Sequence, residues 1–172
     1  MTRKPRRVYW DASVFLSLFQ AGNTPDLEYQ REQAILLLEE ARKGETLIIT
    51  STFTLAEARR GEGVPPLPGD EHATLRAFFK HSYIEAVPVD RAIAELAADY
   101  GERFSLRPGD AVQMATAVRV GASVFLAWDR NFHRREAMKD APILIEEPKW
   151  TGARQLPLED SSSHDDESLS QR

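Results

Sequence analysis

The amino-acid sequence predicts an α/β fold in which helices pack on a mainly parallel β-sheet. Short, nearly continuous apolar segments alternate along the chain with segments that have helical periodicity. Strands of a parallel sheet are nearly continuous apolar runs because helices cover both of their faces. The length of 172 residues suits a single domain with a sizeable core.

Five apolar segments are predicted to be strands, with helices between them. The strands are Val8–Trp10, Leu47–Thr50, Ile84–Val87, Val124–Trp128 and Ile143–Ile145. Helices are predicted at Ser13–Phe19, Asp26–Arg42, Thr54–Arg60, Asp70–His81 and Asn131–Met138. Gly44 follows the second of these helices and is expected to end it.

The spacing of apolar residues predicts two more helices. One apolar face repeats at helical offsets through Ile93, Leu96, Ala97, Tyr100 and Phe104. Another repeats in the same way through Ala111, Met114, Ala115 and Val118. Gly121 follows this second face at the position of a C-cap glycine.

Residues 1–150 are predicted to form the domain and residues 151–172 a disordered acidic tail. The tail has few apolar side chains, a run of three serines, and five acids against two arginines. Within the domain, Gly61–Asp70 contains three prolines and three glycines, which indicates a loop or a break between two helices.

The composition excludes several classes of protein. No apolar run approaches the ~20 residues that a transmembrane helix needs, so no membrane association is expected. The absence of cysteine excludes thiolate zinc sites, disulfides and cysteine nucleophiles. Because no export signal is visible either, a cytoplasmic location is predicted. The net charge of −5 lies mostly in the tail, and it neither supports nor excludes an RNA substrate.

Four carboxylates lie close behind strand-like segments or at the starts of helices. These are Asp11, Glu57, Asp110 and Asp129. Taken singly, each aspartate has an ordinary explanation as a helix N-cap or turn residue, and the glutamate as a helix former on a solvated face. The carboxyl ends of parallel strands share one edge, however, so all four can converge there.

Converging carboxylates repel one another unless protons or a cation neutralise them. Magnesium and manganese prefer carboxylate and water oxygens as ligands. The four acids therefore predict a hard, oxygen-liganded metal site, which suits phosphodiester chemistry and needs neither histidine nor cysteine. The four histidines show no metal-ligand spacing.

Four motifs, in this order and spacing, resemble the acidic motifs of the PIN-domain nucleases, and most closely the bacterial VapC-type toxins. They are DASVFL, the AE of TLAEARR, GDAVQMATA and WDRNF. The resemblance implies a three-layer α/β/α domain that hydrolyses RNA with Mg²⁺ or Mn²⁺. It also implies a homodimer and, for a toxin, inhibition by a small antitoxin protein.

The resemblance assigns the catalytic and metal-binding positions to Asp11, Glu57, Asp110 and Asp129. Ser13 matches the small hydroxyl residue that supports the site in the family. Two positions depart from the family pattern: Ala127 replaces a common Thr or Ser, and Asn131 replaces a common further acid. These departures bear on the number of metal ions and on the rate.

Other residues have both a functional and an ordinary interpretation. Gln113 lies one helical turn after Asp110 and could form a hydrogen bond near the site, or simply fill the helix. Trp10 and Trp128 are expected in the core, and Asp99 on the solvent side of its helix. Arginines and lysines that could contact RNA phosphates are Arg3, Lys4, Arg6, Arg7, Arg59, Arg60, Arg107, Arg130, Arg134 and Arg135.

Two rival functions stay open on the sequence. A PIN-like module with a decayed site would bind RNA without metal-dependent cleavage. A phosphatase with Asp11 as nucleophile is disfavoured, because Ser13 stands where that chemistry commonly has a second aspartate. Dinucleotide binding is disfavoured too, since no G-x-G-x-x-G follows the first strand.

Overall fold

The computed structural model describes residues 4–19, 24–58, 69–133 and 136–152. In these ranges five strands form one parallel sheet in the order β3-β2-β1-β4-β5. The strands are β1 (Arg6–Trp10), β2 (Thr46–Ser51), β3 (Ile84–Val87), β4 (Val124–Leu126) and β5 (Ile145–Glu146). The mainly parallel sheet predicted from the sequence is confirmed.

Helices occupy most of the chain between these strands. They are α1 (Ala12–Phe19), α2 (Pro25–Arg42), α3 (Thr54–Glu57), α4 (Gly69–Phe78), α5 (Arg91–Phe104), α6 (Pro108–Arg119) and α7 (Arg130–His133), followed by a 3₁₀ helix (Glu136–Asp140). None of the helices in the described ranges combines the length and the hydropathy that a transmembrane span requires.

Alternate residues of the strands face opposite sides of the sheet and form two separate cores. Tyr9, Ile49 and Phe125 face α5 and α6, and the ring of Tyr9 stacks on that of Phe125 at 5.2 Å. Trp10 and Ile48 face the other side, where α1, α2 and α4 pack against them. Helices therefore cover both faces, as expected of a three-layer α/β/α domain.

Local signals in the sequence explain where several helices begin and end. The carboxylate of Asp90 accepts the Ile93 N–H at 2.8 Å and caps α5. The hydroxyl of Thr24 accepts the Leu27 N–H at 3.3 Å and caps α2. Gly44 and Gly121 have φ angles of +77° and +66°, so each ends its helix in the left-handed conformation, as predicted.

Several predicted segments have different bounds in the structure, among them the helix predicted at Asp70–His81, which ends at Phe78. The fourth strand ends at Leu126 rather than Trp128, because the Trp128 N–H donates to the Ser13 hydroxyl and not to a neighbouring strand. The last strand begins at Ile145, later than predicted. The helix predicted through Met138 is wrong at its carboxyl end, since Glu136–Asp140 form a 3₁₀ helix, in which Met138 is buried.

Some sequence predictions fall outside the described residues. Most of the predicted break at Gly61–Asp70 does so, although Gly69 and Asp70 belong to α4. The acidic tail does so from residue 153 onward, and the predicted helix at Thr54–Arg60 is described only to residue 58, with α3 ending at Glu57.

The order of the strands creates a switch point beside β1. The chain moves to one side of β1 with β2 and β3, and to the other side with β4 and β5. In open α/β sheets, ligand sites form in the crevice outside the carboxyl ends of the strands at such a point. The segment after β1 and the segment after β4 lie on the two sides of this crevice.

Replacing a fully buried ring tests the core next to α6. Phe125→Ala removes a ring with 0% exposure, and we expect a loss of about 3–5 kcal/mol in the free energy of unfolding. Urea unfolding followed by circular dichroism measures this loss. Val89→Ala, at a residue with 37% exposure, is the control and should change stability by less than about 0.5 kcal/mol. Equal losses in the two variants would contradict the core described above.

Candidate active site

Asp11 lies directly behind β1 at the switch point. Its backbone N–H donates to the Leu126 carbonyl at 2.9 Å, which fixes its position beside the end of β4. Its side chain is 6% exposed, and one carboxylate oxygen accepts the Ser13 N–H at 3.0 Å. Burial raises the pKa of Asp11, the charge of Asp129 raises it further, and the hydrogen bonds from Ser13 lower it.

Ser13 connects the two sides of the crevice. Its hydroxyl oxygen accepts the Trp128 N–H at 2.9 Å, while its own N–H holds the carboxylate of Asp11. The first turn of α1 is thereby tied to the segment that leads from β4 to Asp129. The supporting position assigned to Ser13 from the sequence is consistent with these contacts.

Asp129 lies between β4 and α7 and is held by Asn131. One oxygen of Asp129 accepts the Asn131 backbone N–H at 2.8 Å, and the other accepts the Asn131 side-chain amide at 3.3 Å. Asn131 stands where the family often has an acid, and here it donates hydrogen bonds to the carboxylate instead. The substitution thus removes a charge from the site and adds a donor.

Glu57 is the last residue of α3 and is half-buried. Burial raises the pKa of Glu57 to about 7, with the charges of Asp11 and Asp110 adding to the rise and the hydrogen bond from Gln113 opposing it. The solvated-face alternative for this residue is therefore wrong.

The carboxylate of Glu57 lies against the backbone of Gly109. A Cβ atom at Gly109 would stand only 2.8 Å from the Glu57 Oε1 atom. A side chain at this position would collide with the carboxylate, so glycine serves here to leave space. The β2–α3 connection and the start of α6 are thereby in direct contact.

Asp110 is the third residue of α6, in the first turn of that helix. The N-cap of α6 is Arg107, so the sequence alternative that Asp110 caps the helix is wrong. Asp110 is half-buried, follows Gly109 directly, and raises the pKa of Glu57 by its charge.

Pairwise electrostatic interactions join the four acids. Asp129 acts on Asp11, and both Asp11 and Asp110 act on Glu57. Within the described ranges, however, no three acidic or histidine side chains stand close enough together to hold one metal ion. The donor set consists of carboxylates only and suits a hard divalent cation, which would draw these side chains closer together.

A buried glutamine reaches the same group of acids. Gln113 is 1% exposed on α6, and its amide nitrogen donates to the carboxylate of Glu57 and, at 2.9 Å, to the Thr54 hydroxyl. Its amide oxygen accepts the Tyr9 hydroxyl at 2.5 Å. Of the two interpretations of Gln113, the hydrogen bond near the site is the one observed.

Phe53 and Gly109 lie at the site but were not predicted from the sequence. Phe53 is 38% exposed, and its ring edge lies 3.2 Å from the point where a Gly109 Cβ would stand, on the same side as Glu57. An exposed aromatic residue two positions after a strand was the available signal. Its significance depends on the contact with α6, which the sequence does not reveal.

Other residues singled out from the sequence lie in different surroundings. Arg6 and Arg7 are at the amino end of β1, opposite the acids, where they contact Ser123 and Glu85. Trp10 is buried, as expected, and Asp99 is exposed. Residues that fall outside the described ranges are Arg3, Arg59, Arg60, Arg134 and Arg135.

Five further residues were considered from the sequence as RNA contacts, core residues or metal ligands. Lys4, Arg107 and Arg130 are exposed. Trp128 is only half-buried, and its ring packs edge-on against Tyr29 at 6.1 Å. The His133 ring nitrogen Nε2 is hydrogen-bonded to the Ala127 carbonyl at 2.8 Å, which agrees with a satisfied histidine rather than a metal ligand. A groove of about 560 Å³ beside the 3₁₀ helix is lined by none of the four acids.

The PIN domain family model matches residues 8–137, which include all four acids. The chain belongs to the PIN domain family. The resemblance to PIN-domain nucleases, including the VapC-type toxins, is thereby confirmed. No curated protein sequence matches the chain significantly.

Solved structures with the same fold include several from toxin–antitoxin systems. A toxin–antitoxin complex from Klebsiella pneumoniae has a TM-score of 0.53 at 19% identity, with 82% of this chain and 97% of that chain covered. Mycobacterium tuberculosis VapC20, a sarcin–ricin loop cleaving toxin, has a TM-score of 0.55 at 18% identity, with coverages of 73% and 92%. VapBC2 from Rickettsia felis, bound to a promoter DNA fragment, has a TM-score of 0.59 at 13% identity, with coverages of 82% and 98%.

The raised pKa of Glu57 predicts how the stability of the metal-free PIN domain depends on pH. Because the folded-state pKa is about 7, against 4.5 ordinarily, the folded protein binds more protons between these values. The free energy of unfolding should therefore fall as pH rises from about 5 to about 7. Urea unfolding at several pH values in chelator measures this slope.

The Glu57→Gln variant isolates the contribution of this side chain. It should show a shallower fall in stability over the same pH range, while Glu102→Gln, at an exposed position on α5, is the matched control. An unchanged slope in Glu57→Gln would contradict the burial of this carboxylate.

Proposed function

We propose that this PIN domain is a metal-dependent endoribonuclease that hydrolyses RNA phosphodiester bonds, and that it is the toxin of a toxin–antitoxin pair. The observation that supports the proposal is that pairwise charge interactions link Asp11 to Asp129 and link Glu57 to Asp11 and Asp110, beside the carboxyl edge of a parallel sheet. Two of these carboxylates have a raised pKa, so the site favours a positive counter-charge.

The four carboxylates would hold Mg²⁺ or Mn²⁺, because their oxygens match the ligand preferences of these ions. Such a cation would supply an activated water molecule and would offset the charge that develops on the phosphate. Asp11, Asp110 and Asp129 come from three different segments, so a bound cation would link the paired ends of β1 and β4 to the start of α6.

Glu57 would orient the attacking water and accept its proton. A carboxylate with a pKa near 7 is suited to accept a proton at neutral pH. Its Oε2 atom is engaged by Gln113, which leaves Oε1 for the water or the cation.

Phe53 supports a single-stranded nucleic-acid substrate. Its exposed ring lies beside Glu57, where it can stack on a base next to the scissile phosphate. Stacking on one ring tolerates any base, so this contact favours affinity over sequence discrimination.

Partners and location follow from the same proposal. Two of the structures with this fold belong to toxin–antitoxin complexes, and we extend that assembly to this chain as a small antitoxin protein that inhibits it. A homodimer and a cytoplasmic location, where RNA is available, complete the proposal.

A second candidate function is a PIN-like module that binds RNA without cutting it. Asn131 favours this alternative, since an amide at this position leaves the site with one carboxylate fewer than the family pattern often has. Metal-dependent cleavage by the purified protein would exclude it.

Removing one carboxylate tests the nuclease directly. Asp11→Asn and Asp110→Asn should each lower RNA cleavage at least about a hundredfold, because the metal ion supplies several kcal/mol of transition-state stabilisation. Cleavage of a pool of structured RNAs is measured with Mg²⁺, with Mn²⁺ and with chelator. Asp99→Asn, at an exposed position on α5, is the control and should retain normal activity. Near-normal cleavage by both site variants would refute the assignment.

Truncating Phe53 tests the substrate contact. Phe53→Ala should raise KM for single-stranded RNA roughly five- to a hundredfold, as expected for the loss of one stacked base, with a smaller effect on kcat. The control is Leu144→Ala, which removes an exposed apolar side chain at the far edge of the sheet. An unchanged KM in Phe53→Ala would show that no base stacks there.

A further inference from the structure

We propose that Gln113 is a positioning residue that fixes the orientation of the Glu57 carboxylate for cation binding and catalysis. The catalytic part of this inference rests on the proposed function. Its structural part is a contact between α6 and α3, and both parts can be measured separately.

A chain of buried hydrogen bonds runs from the Trp10 carbonyl to the Glu57 carboxylate. The donor of each bond can be assigned from the number of protons that each side chain carries. The Thr50 hydroxyl has one proton and donates it to the Trp10 carbonyl at 2.9 Å. At its 2.8 Å contact with Thr54, the Thr50 oxygen is therefore the acceptor, and the Thr54 proton is shared between this oxygen and the more distant Gln113 amide oxygen at 3.2 Å. Thr54 must then accept, and its donor is the Gln113 amide nitrogen at 2.9 Å.

The other end of the Gln113 amide is fixed as well. The Tyr9 hydroxyl donates to the amide oxygen at 2.5 Å, so this oxygen points away from the acids. The second amide N–H then faces the carboxylate of Glu57. A flipped amide would place its oxygen against the carboxylate oxygen and lose the bond to Glu57.

Burial gives this chain of hydrogen bonds its rigidity. Tyr9, Thr50 and Thr54 are each 0% exposed, and Gln113 is 1% exposed. A fully satisfied polar network in a low-dielectric interior holds one arrangement, because any alternative leaves a buried group without a partner. The network begins at the carbonyl of Trp10, the residue before Asp11, and ends at Glu57.

Packing alone does not explain a glutamine at this position. Its neighbours on the buried side of α6 are Ala111, Met114 and Ala115, and an apolar side chain of similar length would fill the same space. What the amide adds is a donor directed at a carboxylate. A group that donates a hydrogen bond to a metal-binding side chain fixes the orientation of that side chain. Removing such a donor typically lowers metal affinity or activity ten- to a hundredfold.

A double-mutant cycle between Gln113 and Glu57 tests the proposal. Gln113→Met keeps the length of the side chain and removes the donor, and it is made in the wild-type chain and in Glu57→Ala. Mn²⁺ affinity of the full chain is measured by titration calorimetry. In the wild-type chain, Gln113→Met should weaken Mn²⁺ binding roughly ten- to a hundredfold. In the Glu57→Ala background, the same substitution should change Mn²⁺ binding by less than about twofold.

Two further variants separate positioning from stability. Ile84→Ala removes a buried side chain of β3 in the opposite core, and it should lower the melting temperature while leaving Mn²⁺ affinity within about twofold of wild type. Tyr9→Phe retains the ring but removes the bond that orients the amide. Tyr9→Phe should weaken Mn²⁺ binding severalfold. If Gln113→Met does not fold, Tyr9→Phe takes its place in the double-mutant cycle.

The outcomes distinguish this proposal from the nuclease proposal. Equal loss of affinity in the two backgrounds, or no loss in Gln113→Met, overturns the positioning role while Mn²⁺ binding by the wild type persists. The expected cycle without any RNA cleavage by the wild type overturns the nuclease and keeps the positioning role. A wild-type protein that binds no Mn²⁺ overturns both.

Discussion

The parallel pairing of β1 with both β2 and β4 is the constraint on which the site depends. The register aligns Val8 with Val124 and Trp10 with Leu126, which brings Asp11 next to the end of β4. A slip of one residue would turn every side chain of β1 to the opposite face. Trp10 would then leave the core beneath α1 and α2, so hydrophobic burial enforces the register that places the acid.

The same arrangement places negatively charged carboxylates near one another. Uncharged hydrogen-bond donors stabilise these carboxylates. Ser13 donates to Asp11, Asn131 to Asp129 and Gln113 to Glu57. An arginine or lysine in these positions would neutralise the carboxylates and remove the attraction for a cation. Neutral amides and backbone N–H groups orient the oxygens and preserve their negative charge, which is the combination that a metal site requires.

Sequence patterns predicted the fold because they are local. The alternation of apolar runs with helical periodicity identifies the strands of a covered sheet, and the carboxyl ends of those strands place Asp11 and Asp129 without knowledge of any long-range contact. The end of β4 could not be predicted in the same way, since it depends on the bond from Trp128 to Ser13, 115 residues away.

Long-range proximity also explains what sequence analysis missed at the site. Gln113 and Glu57 are 56 residues apart, and Phe53 gains its importance only through the same approach of the β2–α3 connection to α6. The sequence suggested a hydrogen bond for Gln113 but could not name its partner. Asp110 illustrates the opposite error, because a local capping rule offered an explanation that the position of the N-cap excludes.

The first two turns of α6 unite these long-range contacts. Gly109 and Gln113 are four residues apart and thus lie on one face of the helix, where both contact Glu57. Gly109 does not have a positive φ angle, so space and not backbone conformation explains the glycine. Asp110, next to it, adds a carboxylate. Gly109 leaves space for the Glu57 carboxylate, Gln113 orients it, and Asp110 supplies a further acid. The GDAVQMATA segment is therefore the most informative motif in the chain.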